Sequence, residues 1–522
     1  MGTPRRAALR AAVLAALVAA APRPLSAQAS TYQLLQTFSD LLNQIRVNYV
    51  DSVTTQHLVR GAIEGMLASL DPHSYYLEHA QSERLDAWRA GRLAATGIVV
   101  EGVEGSITVL AVIPGSSAER SHVAAGDRIV AVNDSSVAGL EAHTVQARLL
   151  GERGSRIRLR LERGPRLQPD TISLAVRCQD IKPQSVSRSR ALAGGIGYVR
   201  LAEFNLDAGR ELRDAIDRAA AGPGPRRVIL DLRGNPGGAL VAAQDVLALF
   251  LSEGQSAFRT RGRHPDANTD FVIRHNGRYG DARLVVLIDE NSASASEAVA
   301  GSLQDHDRAT LLGRRSFGKA LVQRPFLIQP TGDEAWLTIA WVVTPSGRVI
   351  QRRYQGLSAG QYEALAGKGG AAGDTVEALR TDSGRIVRGG GGIAPDSVLP
   401  EPVPLPLWFV AASDSALDDA VSDSVAATLP PDAAARAAWI GAASTWASRL
   451  LPPLLDRVRR RFDIAPRPDT AQGARIARIL AARVAEVRWG PDAAQELLIT
   501  SDPDIAAAAA VLSRPRSAGP PR

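Results

Sequence analysis

Apolar positions between residues 30 and 90 recur at helical spacing. Leu34, Leu35, Phe38, Leu41, Leu42 and Ile45 form one stripe, and Leu58, Ile63, Met66 and Leu67 a second. Asp71-Pro72-His73-Ser74 breaks that pattern. From residue 93 to 165 the period shortens to that of strands, at Gly97–Val100, Ile107–Leu110, Arg128–Val132 and Ile157–Leu161, with a helix predicted from Ala142 to Leu150. Between 195 and 350 strands and helices alternate. Strands are predicted at 196–201, 227–232, 284–288, 309–312, 321–328 and 335–343, and helices at 208–220, 239–251 and 295–305. Such alternation specifies a layered α/β core with its site at the strand ends. Beyond residue 410 the chain is rich in alanine and arginine and helical in pattern, with breaks predicted at Pro430-Pro431, Pro452-Pro453 and Pro466. The expected organisation is a leader over 1–27, a helical region over 28–92, a small β-rich domain over 93–165, the α/β core over 166–408 and a helical region over 409–522, with a disordered tail after about residue 513.

The first 27 residues change the picture of where the protein works. Arg5, Arg6 and Arg10 precede an apolar run over 11–21, and Leu25-Ser26-Ala27 offers a small residue for cleavage. The run is short for a membrane span. It reads as a signal peptide, with an uncleaved membrane anchor as the alternative; either places the bulk of the chain outside the cytoplasm, in the periplasm or another extracytoplasmic space. The formal charge is +7, and the four arginines of the first 27 residues leave +3 for the rest. No basic run carries interleaved aromatics, so nucleic acid is not an expected partner. Cys178 is the only cysteine, which excludes an internal disulfide or a cysteine-based metal site. Neither a metal nor an organic cofactor is implied.

The order of strands and turns over 93–165 resembles a PDZ domain. The resemblance rests on Val112-Ile113-Pro114-Gly115-Ser116-Ser117-Ala118-Glu119 and on Ala125 to Asn133, around Gly126-Asp127. PDZ domains take a free C-terminus as an added strand and hold its carboxylate on backbone amides. The resemblance assigns that loop to Thr96, Gly97, Ile98 and Val99, one glycine short of the usual Gly-Φ-Gly-Φ pattern.

Candidate chemistry begins with the basic residues. Of 61, only Lys182, Lys319 and Lys368 are lysines. Arginine stays protonated, whereas a desolvated lysine can act as a base. Lys319 is flanked by Phe317, Leu321 and Val322, with no carboxylate within five residues in sequence. Upstream lies Asn291-Ser292-Ala293-Ser294-Ala295-Ser296-Glu297 at the mouth of a predicted helix. A serine with a deprotonatable lysine makes a hydrolase nucleophile. Ser294 at a helix mouth suits that role, though an N-cap serine is the commoner meaning. Asn235-Pro236-Gly237-Gly238 is a second strand-to-helix turn whose amides could hold an oxyanion.

Together with Leu70-Asp71-Pro72-His73-Ser74, Asp231-Leu232-Arg233-Gly234, Phe317-Gly318-Lys319, Val322-Gln323 and Thr344-Pro345-Ser346-Gly347-Arg348, these segments resemble the C-terminal processing (tail-specific) serine peptidases. Ala320 departs from the glycine common there. The resemblance implies a spiral ββα core of the crotonase/ClpP type with an inserted PDZ domain. It implies Ser294 as nucleophile, Lys319 as general base, Gln323 orienting the lysine, and oxyanion donors at Gly237, Gly238 and Ala295. It implies a structural role for Asp305. The expected partners are protein or peptide substrates with free C-termini, and the C-terminal helical region is a candidate surface for a homo-oligomer or an adaptor. The rival functions are a non-catalytic PDZ adaptor and a crotonase-like acyl-CoA enzyme. A Ser-His-Asp arrangement through His306 is a further, weaker alternative.

Overall fold

The computed structural model describes residues 30–89, 94–103, 106–113, 115–124, 126–140, 142–163, 170–181, 184–219, 226–355, 357, 362, 378–414 and 417–514. The leader, Lys182, Lys368 and the tail beyond residue 514 lie outside them. The chain divides into two compact units, ending and beginning at Ser69 and Leu70. The first holds α1 (Thr31–Asn48) and α2 (Thr55–Ala68). Each opens on a hydroxyl cap: Ser30 Oγ accepts the Gln33 N–H and Thr54 Oγ1 the His57 N–H, both at 3.2 Å.

The second unit opens with β1 (Tyr75–Leu77) and α3 (His79–Arg89). β1 pairs antiparallel with Glu334–Trp336, in a strand of the core. The helical region expected over 28–92 is therefore split, because periodicity does not say which surface an amphipathic segment will cover.

The PDZ-like sheet runs β2 (Ile98–Val103), β3 (Ser106–Val112), β4 (Arg128–Val132), β5 (Arg156–Arg163) and β6 (Asp170–Arg177), in that spatial order. Two helices complete it, α4 (Ser117–Arg120) and α5 (Ala142–Arg148). In β5, Ile157, Leu159 and Leu161 point inward while Arg156, Arg158 and Arg160 face water, the two-residue period of a half-buried strand. β6 pairs with β5 over eight residues. The domain therefore extends past the boundary expected at 165.

The core sheet contains β7 (Val186–Leu192), β8 (Ile196–Leu201), β9 (Arg227–Asp231), β12 (Arg283–Ile288), β13 (Ala309–Gly313) and β16 (Ser397–Val398). Between them stand α6 (Ala208–Ala219), the hairpin β10 (Ser256–Arg261) and β11 (Thr269–Val272), α7 (Leu240–Leu247) and α8 (Ala295–Asp305). Strands β8, β9, β12 and β13 are parallel neighbours. A second sheet holds β1, the β10–β11 hairpin, β14 (Leu321–Ile328) and β15 (Asp333–Val343).

Parallel strands must be covered on both faces, which is why Val228, Ile229 and Leu230 are all fully buried. Val199, Leu201, Val228, Leu230 and Val286 face α6, α7 and α8. Tyr198, Ile229, Val285 and Leu287 face the other way, against Ile505, Ala508 and Leu512 of the last helix.

That helix belongs to a bundle of α9 (Leu407–Asp414), α10 (Leu417–Ala426), α11 (Ala433–Gly441), α12 (Ala443–Phe462), α13 (Thr470–Trp489), α14 (Pro491–Thr500) and α15 (Pro503–Ser513). The break expected at Pro452-Pro453 does not occur; both prolines lie inside α12. Their fixed φ is helical, and Trp446, Leu450, Leu454 and Val458 bury one face of the helix on both sides of them. The bundle touches both domains. Val410 joins the PDZ-like core, and His122 Nε2 lies 3.3 Å from Asp418 Oδ2. At the other end Asp504 Oδ2 accepts from Arg233 and Arg314, both at 2.9 Å.

Candidate active site

The C-terminal ends of β9 and β12 each run into a loop, and hydrogen bonds stitch the two loops together. The Gly234 N–H donates to Asp289 Oδ1 at 2.9 Å, the Ala293 N–H to the Asn235 carbonyl at 3.0 Å and Ser292 Oγ to the Leu232 carbonyl at 2.8 Å. Ser296 Oγ donates to the Asn235 carbonyl at 2.9 Å. Two of the three serines in the small-residue turn are thus structural.

Ser294 differs from them. It stands between β12 and α8 with φ 56° and ψ −114°. For a residue with a Cβ this is a strained backbone, costing about 1–3 kcal/mol, and such strain collects at working sites. A sharp strand-to-helix elbow of this kind lifts a serine side chain above the sheet edge. The Ser294 carbonyl accepts from the Glu297 and Ala298 amides at 3.0 and 2.9 Å, starting the helix.

Glu297 is fully buried and organises the site. Its Oε2 accepts the Ser294 N–H at 3.0 Å and the Lys319 N–H at 2.8 Å. Its Oε1 accepts the Gly318 N–H at 2.7 Å and Ser316 Oγ at 2.5 Å. One oxygen therefore holds the backbones of serine and lysine side by side, although 25 residues separate them in sequence. Burial pushes the Glu297 carboxyl up to about 7, against the opposing pull of its four donors. The sequence offered a signal for this residue, a glutamate three positions after an N-cap serine, but not its second set of partners.

The lysine turn is braced from its other side. The Ala320 N–H donates to Gln351 Oε1 at 2.7 Å, Gln351 Nε2 donates to the Tyr362 hydroxyl at 3.0 Å, and that hydroxyl meets His73 Nε2 at 2.9 Å. Asp71 Oδ1 accepts the His73 and Ser74 amides, both at 2.8 Å, and Ser74 Oγ accepts the Thr338 N–H at 3.1 Å. The Asp-Pro-His-Ser segment is thereby part of the scaffold around Lys319. Gln351 and Tyr362 carried no signal in sequence. Gln323 lies at a bulge in β14, and its Nε2 donates to Thr338 Oγ1 at 3.2 Å.

The oxyanion assignments divide. The Gly237 N–H is spent on Asn235 Oδ1 at 2.8 Å, which removes Gly237 as a donor. Gly237 instead fills a steric role: a Cβ there would lie 2.8 Å from Ser294 Cβ and 2.9 Å from the Ala295 nitrogen. The Gly238 and Ala295 amides make no other backbone bond among the described residues, and a first-turn amide such as Ala295 has no helical acceptor. Gly238 has φ 142°, and a Cβ would come within 2.3 Å of the Phe204 carbonyl oxygen. Gly238→Ala is accordingly expected to reduce turnover by about 100-fold, as a displacement near 1 Å does, and to lower the thermal midpoint. A rate assay paired with a melting curve checks both.

Asp231 anchors the first loop. Burial raises its carboxyl, but the Arg233 charge and hydrogen bonds outweigh that and hold it at about 2. Asp305 is structural, as expected, bonded to Arg348 at 2.5 Å and to the Ser346 N–H at 3.0 Å. His306 caps the far end of α8, with its ring nitrogens near Asp382 and the Ser256 carbonyl. Eleven helical residues, roughly 16 Å, separate it from Ser294, which excludes a Ser294–His306 pair.

In the PDZ-like domain Thr96 does not line a ligand site. It is fully buried, and its N–H and hydroxyl both go to the Leu149 carbonyl, at 3.2 and 3.3 Å. Gly97 has φ +92°, and a Cβ would overlap Ser116 at 2.1 Å. Ile98 and Val99 begin β2 at the sheet edge.

Comparison with known proteins agrees with this architecture. Residues 195–359 match Peptidase family S41, residues 108–163 a PDZ domain, and residues 16–81 the activating protease CtpB N-terminal domain. The chain is 36% identical over 331 residues to a carboxy-terminal-processing protease of Bartonella bacilliformis, covering 62% of this chain and 74% of that protein. It is 30% identical over 311 residues to the carboxy-terminal processing protease CtpA of Bacillus subtilis, covering 59% and 65%. The photosystem II D1 C-terminal processing protease shares the fold, with a TM-score of 0.51 at 24% identity, over 73% of this chain and 97% of that one. The chain belongs to the S41 family of carboxy-terminal processing proteases, serine peptidases that carry a PDZ domain.

Proposed function

We propose that the protein is an exported endopeptidase that cleaves protein substrates through a Ser294/Lys319 dyad and selects them by their C-terminal tails. The observation that carries this is the Glu297 carboxylate, which binds the Ser294 and Lys319 amides through one oxygen. Lys319, deprotonated, takes the Ser294 hydroxyl proton as Oγ attacks the peptide carbonyl. The oxyanion is met by the Gly238 and Ala295 amides. The tetrahedral intermediate collapses, the C–N bond breaks, and Lys319 returns the proton to the leaving amine. Water, deprotonated by the same lysine, then hydrolyses the acyl-enzyme. Gln323 orients Lys319 through its amide oxygen, its nitrogen being taken by Thr338.

The PDZ domain presents the tail by strand addition at β2, with Gly97, Ile98 and Val99 at the carboxylate end. The arginine-led apolar leader supports export to the periplasm or another extracytoplasmic space. The family membership disfavours the adaptor and acyl-CoA alternatives. Incubation of parent and Ser294→Ala protein with an extracytoplasmic proteome tests the function. New C-termini are expected with the parent alone; identical termini from both would refute the assignment of Ser294.

A further inference from the structure

β2 is the edge strand of the PDZ-like sheet, with β3 on one side and α5 packed toward the other. An added strand would bond the outward carbonyl and amide groups of that edge. Two of them are already taken. Gln146, on α5, donates from Nε2 to the Ile98 carbonyl at 2.9 Å and accepts the Val100 N–H on Oε1 at 3.0 Å. A side-chain carboxamide carries the same donor and acceptor as a peptide group. One glutamine therefore makes the pair of bonds that the backbone of a tail would make.

The contact also closes the space. A strand lies about 4.8 Å from its neighbour, whereas here one side chain from the helix sits at hydrogen-bond distance from β2. Gln146 is flanked by Val145 and Ala147, both buried, so the helix is held in place and the side chain must move. Both bonds are part-buried and Ile98 is 2% exposed, so the glutamine also satisfies edge groups that α5 shields from water.

We infer that the Gln146 carboxamide is a self-bound cap on the peptide-recognition edge, which a tail must displace before it can dock. This rests on the proposal that the PDZ domain binds C-terminal tails at β2. The apparent affinity for a tail is then reduced by the fraction of domains that are uncapped, and weak tails are rejected. An ionised glutamate could not serve, since it has no donor for the Ile98 carbonyl.

The test uses the full chain with Ser294→Ala, so that no peptide is cut. Binding of a labelled decapeptide pool, with the last two positions drawn from Ala, Val and Leu, is compared as free acid and as C-terminal amide. Adding Gln146→Ala is expected to tighten free-acid binding about 5- to 10-fold, the loss of two competing hydrogen bonds. Hydrogen exchange of the Val100 amide should accelerate without peptide. Gln146→Met, which keeps the side-chain length without donor or acceptor, should accelerate it too. Unchanged or weaker peptide binding, with the parent still binding free acid over amide, overturns the cap and leaves tail recognition standing. A Val100 amide as protected in both variants as in the parent also overturns it. Absence of free-acid binding by every protein overturns tail recognition itself and the cap with it.

Discussion

Lys319→Arg is expected to be as inactive as Lys319→Ala, with turnover reduced on the order of a thousandfold in both. The arginine variant keeps a basic side chain of similar length and the backbone bond from residue 319 to Glu297. It removes only the ability to shed a proton, because a guanidinium stays protonated in proteins. An electrostatic role for Lys319 would predict the opposite, substantial activity with arginine and none with alanine. Cleavage of a tail-bearing protein, followed alongside binding of the same tail to show that the variant is folded, separates the two. Wild-type-like turnover by Lys319→Arg would end the dyad assignment.

The second large effect concerns Glu297. All four of its neighbours are donors: three backbone amides and the Ser316 hydroxyl. Only the ionised carboxylate can accept from all four, yet burial opposes ionisation and moves the group up to about 7. Because the folded value lies above the ordinary carboxylate value, the neutral form is the one folding favours. Its stabilising contribution is complete below about pH 4.5 and is lost as pH rises through about 7, worth roughly 3 kcal/mol. Stability and site geometry therefore run in opposite directions across neutral pH: the charged carboxylate that aligns serine and lysine is the less stable form.

Glu297→Gln removes this conflict and the alignment together, since its amide nitrogen would face donors. Its turnover at pH 8 is expected to fall about 100-fold, with substrate binding little changed. Urea unfolding at pH 5 and pH 8.5 should show the parent losing stability relative to the variant as pH rises. A parallel pH dependence in the two proteins would show that Glu297 does not titrate in that range.

The residues proposed for the site stand out in the sequence. Ser294, Lys319, the Gly237-Gly238 turn and the strands that deliver them follow from local pattern and from short segments whose chemistry is distinctive. What local pattern missed has a common cause. No carboxylate lies within five residues of Lys319 in the chain, yet Glu297 is bonded to its amide, because β12 and β13 place their loops side by side. Gly237 was a plausible oxyanion donor until the Asn235 side chain folded back onto its amide. A run of glycines announces available amides, but not which of them the neighbouring side chains will consume.

The same division holds for the whole molecule. Hydrophobic periodicity determined the strands and helices of the core, the half-buried β5 and the helical character of the C-terminal region, because these depend on neighbours two to four residues away. Tertiary structure alone decided that α15 covers the second face of the parallel sheet, that α12 passes through two prolines, that β6 completes the PDZ-like sheet and that Glu297 joins serine to lysine. Each of these depends on which buried surface or unpaired donor lies opposite across the fold, and that partner is distant in the chain.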